Sequence, residues 1–353
     1  MLAKQYADSL AARLPADLFD PVPSRVLWLP VHGLIAAVCT ILIIAAHLNL
    51  AARLGLAVVI GFSFSCLGIL AHEILHGLIV ERLWLRVALG TMCLAPLGVG
   101  PRLWMIWHNL HHANTQDPGR DPDNWGTAQS VPADCIMGQL RQFTNPRTWL
   151  FPFFLATGVT GHAAALLFGL RKEMTANQRR TTLIEFAAVW LFWVALGFWM
   201  GWINLVLFFL IPLLLANVLI NSFVITNHFL SPLDDGNDPL ASSLTVTTYP
   251  WVEGLLLNFN YHAEHHLFPG MSPRYAPLVS ELLKEGWPDH YHRLPFRKAV
   301  WAVWMTPRLY YDRTRLIDTQ NGTLYGTLGV GAECGVARIV NDDQAGVQLT
   351  RRV

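Results

Sequence analysis

Four stretches of this chain are each long and apolar enough to cross a bilayer core, and no other feature constrains the fold as much. A helix needs about 20 residues to span that core. The stretches run roughly over 27–47, 54–75, 183–201 and 203–226, and very short connections pair them into two helical hairpins. Composition agrees. Of the 353 residues 53% are hydrophobic and only 14% charged, where a soluble domain carries about a quarter charged residues. Fourteen Trp suit a membrane chain, because indole rings favour the interface. A net charge of +1 offers no basic field for nucleic acid.

Two further stretches are apolar but interrupted. Residues 149–170 contain Pro152, three Gly and His162, and residues 83–101 are broken by Arg86, Pro96 and several Gly. Both are expected to lie in the membrane plane or to re-enter it. The turn between the first two spans offers only Arg53 and the turn between the last two no charge, whereas Arg25, Arg102, Arg120, Arg141, Arg147, Arg171, Lys172, Arg179 and Arg180 lie on the other side. The positive-inside bias makes that side cytoplasmic, with both termini on it; in a bacterium this would be the inner membrane.

The expected fold is therefore an all-α integral membrane protein: four transmembrane helices in two hairpins, in-plane helices, and a cytoplasmic His-rich cap holding a metal site. Residues 1–26 form a cytoplasmic N-terminal segment, 27–317 the membrane domain, and 318–353 a Gly-rich tail open to two short strands or to disorder. The N-terminus carries acids and lacks a basic start leading into an apolar core, which argues against a cleaved signal peptide. Cys39, Cys66, Cys93, Cys135 and Cys334 include no CxxC pair and suggest neither a disulfide framework nor a thiolate metal site.

Three histidine clusters carry the chemistry. They are His72-Glu73-Ile74-Leu75-His76, His108-Asn109-Leu110-His111-His112 and His262-Ala263-Glu264-His265-His266. At 14 His in 353 residues, a chance H-x-x-H-H is expected roughly 0.02 times, and here there are two. On a helix, positions i, i+3 and i+4 share one face, so each H-x-x-H-H aims three imidazoles at one point. His72 and His76 add two, for eight nitrogen donors. Eight exceed one tetrahedral ion and suit two ions of higher coordination. Imidazole suits Zn, Cu, Fe and Ni; a neutral donor set leaves iron able to cycle between oxidation states, so iron is expected, with zinc the fallback.

His228, at the cytoplasmic end of the fourth span, is a ninth candidate, because an ionisable residue there is a functional candidate by default. Asn221, Asn227 and Asn260 fall near the same end as possible holders of a metal-bound water. Glu73 and Glu264 sit inside the clusters and are expected to orient the ligands, since a ligating His passes its second N–H to a carboxylate or carbonyl. Asp117, Asp121 and Asp123 follow the second cluster, either as anchors for ligand histidines or an electron partner, or as a Pro-punctuated loop. His32, His47, His162, His290 and His292 are expected to be packing, interface or cap residues.

All three clusters must meet on one face, so an even number of crossings separates them. Neither 83–101 nor 149–170 then crosses alone. His72-Glu73-x-x-His76 also matches a zinc metalloprotease motif with Glu73 as general base, but that leaves both H-x-x-H-H clusters unexplained. A metal carrier would place its ligands near the midplane, whereas these flank the spans.

At these clusters the chain resembles the membrane fatty acid desaturase superfamily, which also contains hydroxylases, acetylenases and carotenoid ketolases. The resemblance covers roughly residues 25–310 and rests on HEILH (72–76), HNLHH (108–112), TNHFLSP (226–232) and NYHAEHHLFPGMSPRY (260–275). It implies a non-haem di-iron centre, two Fe ions bound by His72, His76, His108, His111, His112, His262, His265 and His266, with an additional ligand carried onto His228. One helical turn before that His, where family members carry Asn, this chain has Val224. The resemblance further implies O2 as co-substrate, a lipid or acyl-thioester substrate, and electrons from a separate ferredoxin or cytochrome b5 with its NAD(P)H reductase. No His-Pro-Gly-Gly haem motif of a fused cytochrome b5 is present. The expected reaction is desaturation of an acyl chain. Hydroxylation or ketolation of an acyl or carotenoid substrate at the same metal site is the alternative.

Overall fold

The computed structural model describes residues 2–124, 127, 150–307, 309–318, 322–332, 337–339 and 349–351. Cys135, Cys334, Arg141 and Arg147 lie outside the described residues. In chain order the helices are α1 (Leu2–Leu10), α2 (Trp28–Ala45), α3 (Leu50–His76), α4 (Leu83–Leu94), α5 (Pro101–Ala113), α6 (Leu150–Gly169), α7 (Ala176–Met200) and α8 (Trp202–His228). Shorter helices α9 (Pro250–Leu255), α10 (His262–Leu267), α11 (Ala276–Gly286) and α12 (Phe296–Met305) follow. The chain divides into two compact units. A helical unit comprises Phe19–His108 and Leu155–Asn221, and a mixed unit Met1–Leu18, Asn109–Phe154 and Ser222–Val353.

In the helical unit the punctuation is local. Asn49 caps α3 by accepting from the Ala52 amide at 2.9 Å, and Gly77, at φ +87°, ends it in the left-handed conformation that glycine adopts without cost. Thr175 and Gln178 form a reciprocal capping box at the start of α7. Within α8, Val206–Leu210 makes a π turn just ahead of Pro212, a residue with no N–H to give a helical ladder.

Small residues let α3 approach its neighbours. A Cβ at Gly61 would lie 2.9 Å from Leu215 Cβ, and one at Gly68 2.7 Å from Leu97 and 2.8 Å from Ile220, the close contact that holds helices together where lipid is as apolar as the side chains. Large apolar side chains on α2 and α7 point outward instead: Leu34 is 66% exposed, Leu191 66% and Phe198 75%. In water such faces would be anomalous; against lipid they are ordinary.

After α4 the backbone turns by 92° through Pro96, Gly98 and Gly100 into α5. Breaking a helix frees carbonyls, which must be satisfied wherever water is scarce. Trp193 Nε1 donates to Ala95 O at 2.9 Å and Thr160 Oγ1 to Leu97 O at 2.7 Å. Asn217 bonds Thr160 in turn, at 3.0 Å.

Among the described residues five single helices are long and apolar enough to cross a membrane, the four expected spans and Phe151–Lys172, and the bent pair Leu83–Leu97 and Pro101–Ala113 would make a sixth. Pro152 does not interrupt α6, because it sits in the first turn, where a missing N–H costs no helical bond.

The mixed unit corrects the all-α expectation. Thr245–Thr247 (β1) and Arg293–Pro295 (β2) pair in parallel, and Leu309–Tyr310 (β3), Arg315–Ile317 (β4), Leu324–Gly326 (β5), Ala337–Ile339 (β6) and Leu349–Arg351 (β7) form an antiparallel five-stranded sheet. Strands of two or three residues are too short to print a period-two pattern. Tyr6, Leu10 and Leu18 join Tyr261, Leu267, Phe268, Val279 and Leu283 in the core of this unit, which fixes α10, the carrier of the third histidine cluster.

Candidate metal centre

Four imidazoles of the mixed unit converge: His111 on α5, His228 at the end of α8, and His262 and His266 one turn apart on α10. Their Nε2 atoms are linked in a chain, His111 to His228 at 3.2 Å, His228 to His262 at 2.7 Å and His262 to His266 at 3.1 Å. On three of the rings the other nitrogen is engaged elsewhere. His111 Nδ1 lies 2.9 Å from Asp121 Oδ1 and 3.4 Å from Asp123 Oδ2, His228 Nδ1 3.1 Å from the Ser242 carbonyl, and His266 Nδ1 3.1 Å from Thr115 Oγ1.

Carboxylates and carbonyls accept only, so His111 and His228 carry their proton on Nδ1. Thr115 gives its own hydroxyl proton to His111 O at 2.9 Å, which leaves its oxygen to accept from His266. His228 and His266 therefore turn Nε2 lone pairs inward, while, against the lowering effect of burial, Asp121 and Asp123 raise the His111 pKa to about 9. Lone pairs at this spacing repel unless a cation lies among them. Adjacent nitrogens about 2.1 Å from a shared ion stand about 3 Å apart, the spacing observed. Burial and the surrounding imidazoles hold His266 well below the usual histidine range, so it stays in the neutral, ligating form.

The supports come from the loop after α5. Asp121 also accepts from the Gln116 amide at 2.8 Å, and Gln116 Nε2 donates to His228 O at 2.5 Å. Tyr310 reaches both Gln116 Oε1, at 3.3 Å, and Ser231 O, at 2.6 Å. Asp117 instead bonds the Gly119 and Arg120 amides; it shapes a turn. A second pair in this unit joins His112 Nε2 and His265 Nε2 at 3.0 Å, with His112 stacked on His266.

In the helical unit His72, His76 and His108 form their own group. His76 and His108 approach through Nε2 at 2.9 Å, and all three ring centroids lie 4.6–4.9 Å apart. Trp104, one turn before His108, stacks on it at 4.2 Å.

Among the described residues the box glutamates pair with other side chains. Glu73 is buried in an ion pair with Arg25. Glu264 is fully buried and accepts from Thr245 Oγ1, at 2.5 Å, and from Tyr291 OH, which in turn shares a 2.6 Å hydrogen bond with Ser280. Burial raises the Glu264 carboxyl against the pull of these hydroxyls, and burial beside Glu264 raises the Tyr291 phenol.

Of the three asparagines, Asn221 donates to Leu155 O and Asn260 to Val246 O, while Asn227 is buried with neither amide atom bonded to protein. His162 packs on Trp107, and His32 lies 3.4 Å from Ser63. Thr115, Gln116, Ser242, Tyr291 and Arg25 were not legible as site residues. Only Trp104 had a signal, its spacing of four from His108.

Helices of membrane length and histidines arranged so that they could hold metal define the class: a helical membrane-type protein with candidate imidazole metal sites. Comparison with known proteins narrows it. A match to the fatty acid desaturase family covers residues 48–298. The chain is 30% identical to an acyl-lipid (7-3)-desaturase of Rebecca salina over 66% of its own length and 58% of that protein. It is 26% identical to the sn-1 oleoyl-lipid 12-desaturase of Anabaena variabilis (72% and 73% covered) and 25% identical to that of Synechocystis (74% and 74%). The chain belongs to the fatty acid desaturase family, and is an oxidoreductase of that family.

Proposed function

We propose that this enzyme removes two hydrogens from adjacent carbons of a lipid-linked fatty acyl chain, at a pair of iron ions held by His72, His76, His108, His111, His112, His228, His262, His265 and His266. The acyl CH2–CH2 becomes CH=CH while O2, two electrons and two protons become two waters. The electrons come from a separate ferredoxin or cytochrome b5 served by an NAD(P)H reductase. Bound iron would supply the O2 chemistry that no side chain can perform.

The protein's part is orientation. Asp121, the Ser242 carbonyl and Thr115 keep Nδ1 protons on the outer side of three rings, so that Nε2 remains the donor. The Gln116 bond to His228 O steadies the end of α8. One observation carries this reading: imidazoles from three distant segments line up their Nε2 atoms, each within 3.2 Å of the next, in a chain of the desaturase family. A lipid-linked substrate follows from the acyl-lipid and oleoyl-lipid names of the relatives.

In this reading site and termini lie on the cytoplasmic face, which the positive-inside distribution of Arg and Lys supports. α6 then lies in the membrane plane despite its length, because an even number of crossings must separate the histidine clusters.

The test is expression in a host fed defined lipids, with metal analysis of the purified chain. Iron in the protein and new double bonds in the lipids are expected. A lone zinc with unchanged lipids would reject the assignment, and new hydroxyls without double bonds would move it to oxygen insertion.

A further inference from the structure

The parallel pair β1–β2 ends in register, Thr247 opposite Pro295. Each strand then runs almost at once into a short helix, β1 into α9 and β2 into α12. The two helices therefore start side by side. Each turns aromatic rings outward: Tyr249 and Trp251, at the start of α9, are 71% and 67% exposed, and Trp301, on α12, is 59% exposed.

On α12 the pattern is one-sided. Ala299, Ala302 and Val303 are buried, whereas Arg297, Trp301 and Trp304 recur at i, i+4 and i+7 on the outer face, with Lys298 exposed beside them. A core helix would not put two indoles in water behind two cations. Trp and Tyr concentrate where a bilayer meets water, and basic residues at the same level meet lipid phosphates. The position of α12 carries the same message. Trp304 packs edge-on against Phe151, 5.1 Å between centroids, in the first turn of the membrane-length helix α6. The next outward ring there, Phe153, is 57% exposed.

We infer that α9 and α12 form an aromatic ledge that lies in the lipid headgroup–acyl boundary, with Tyr249, Trp251, Trp301 and Trp304 in the boundary and Arg297 and Lys298 on the phosphates. The occupant of this face is the bilayer surface. Amphipathic helices of this kind sink about 5–10 Å into the boundary. The ledge stands apart from the metal assignment, since none of its residues is a ligand.

Nitroxide labels at Trp251→Cys, Trp301→Cys and Trp304→Cys, each in the full chain with Cys135 and Cys334 changed to Ser, test it in phosphatidylcholine–phosphatidylglycerol vesicles. A label at Glu285→Cys, on an exposed stretch of α11, serves as the reference. Collision with oxygen, which partitions into lipid, should exceed collision with a water-soluble nickel chelate at the three ledge positions and fall below it at 285. Water-dominated collisions at the ledge, equal to those at 285, would overturn the proposal. So would protection from both quenchers accompanied by dipolar broadening between copies, which would make the face a protein–protein contact. Bound iron and turnover do not enter either readout.

Discussion

The two histidine groups are built by different means. His111, His228, His262 and His266 come from three segments far apart in sequence, and their rings are aimed by a carboxylate, a backbone carbonyl and a hydroxyl. His72, His76 and His108 come from two helices; one helical turn sets His72 beside His76, and the Trp104 ring lies on His108. Rings brought together by loops need hydrogen bonds to fix their rotation, whereas rings on a single turn inherit their direction from the backbone. The glutamates inside the two boxes repeat the contrast. Glu73 neutralises a guanidinium, and Glu264 is shared between two hydroxyls.

Ligand deletion gives the largest effect and erases the contrast. His262 Nε2 stands between those of His228 and His266, so His262→Ala should abolish turnover and strip bound iron. His72→Ala in the other group should do the same if both groups carry ions. Full turnover with normal iron in His72→Ala would reduce that group to packing. Metal content and lipid double bonds read both variants.

One step outward the groups should separate. Asp121→Asn removes the acceptor charge from His111, and losses of about 10–100-fold in metal affinity or activity are typical of such partners. Asp117→Asn, which only loosens a turn, should stay near wild type. Trp104→Leu removes one stacked ring, worth about 0.5–1.5 kcal/mol, or roughly tenfold at most. A loss at Trp104 equal to that at Asp121 would break the distinction between rings aimed by bonds and rings aimed by packing. Iron titration with turnover measures all three.

The long apolar runs and the histidine boxes were legible because each repeats a period: about twenty residues for a bilayer, three and four for a helical face. His228 was legible from its depth at the end of an apolar run. What holds the ligands was not. Ser242 contributes a main-chain carbonyl, which leaves no trace in residue type, and Thr115 and Gln116 are polar residues in a polar loop. Asp121 and Asp123 could not be told from turn formers like Asp117 until the chain folded back. The partners of the glutamates were no more legible. Sitting between ligands in sequence, they turn to partners 48 residues away for Glu73 and 27 for Glu264, and no local pattern announces Arg25 or Tyr291. The tail was legible only as short strands or disorder, because strands of three residues carry no period, and the in-plane reading of α6 came from the crossing count rather than from its residues.

The glutamates also set the smallest effect on catalysis and the clearest on stability. Glu73→Gln leaves the Arg25 guanidinium, whose side chain is only 16% exposed, without a countercharge. Breaking a buried pair from one side costs about 3–5 kcal/mol. Glu264→Gln keeps an acceptor for one hydroxyl and disturbs the other, a change of about 1–3 kcal/mol. Unfolding in detergent should therefore come markedly earlier for Glu73→Gln than for Glu264→Gln, with iron per folded chain nearly unchanged in both. Removing the orphaned charge as well, in the double variant Arg25→Met with Glu73→Gln, should recover most of the loss, because two apolar or neutral partners replace a buried pair at little cost. If the double variant instead unfolded as early as Glu73→Gln while also losing iron, the carboxylate would be serving the ligands of its own box, and the contrast between the two glutamates would fall.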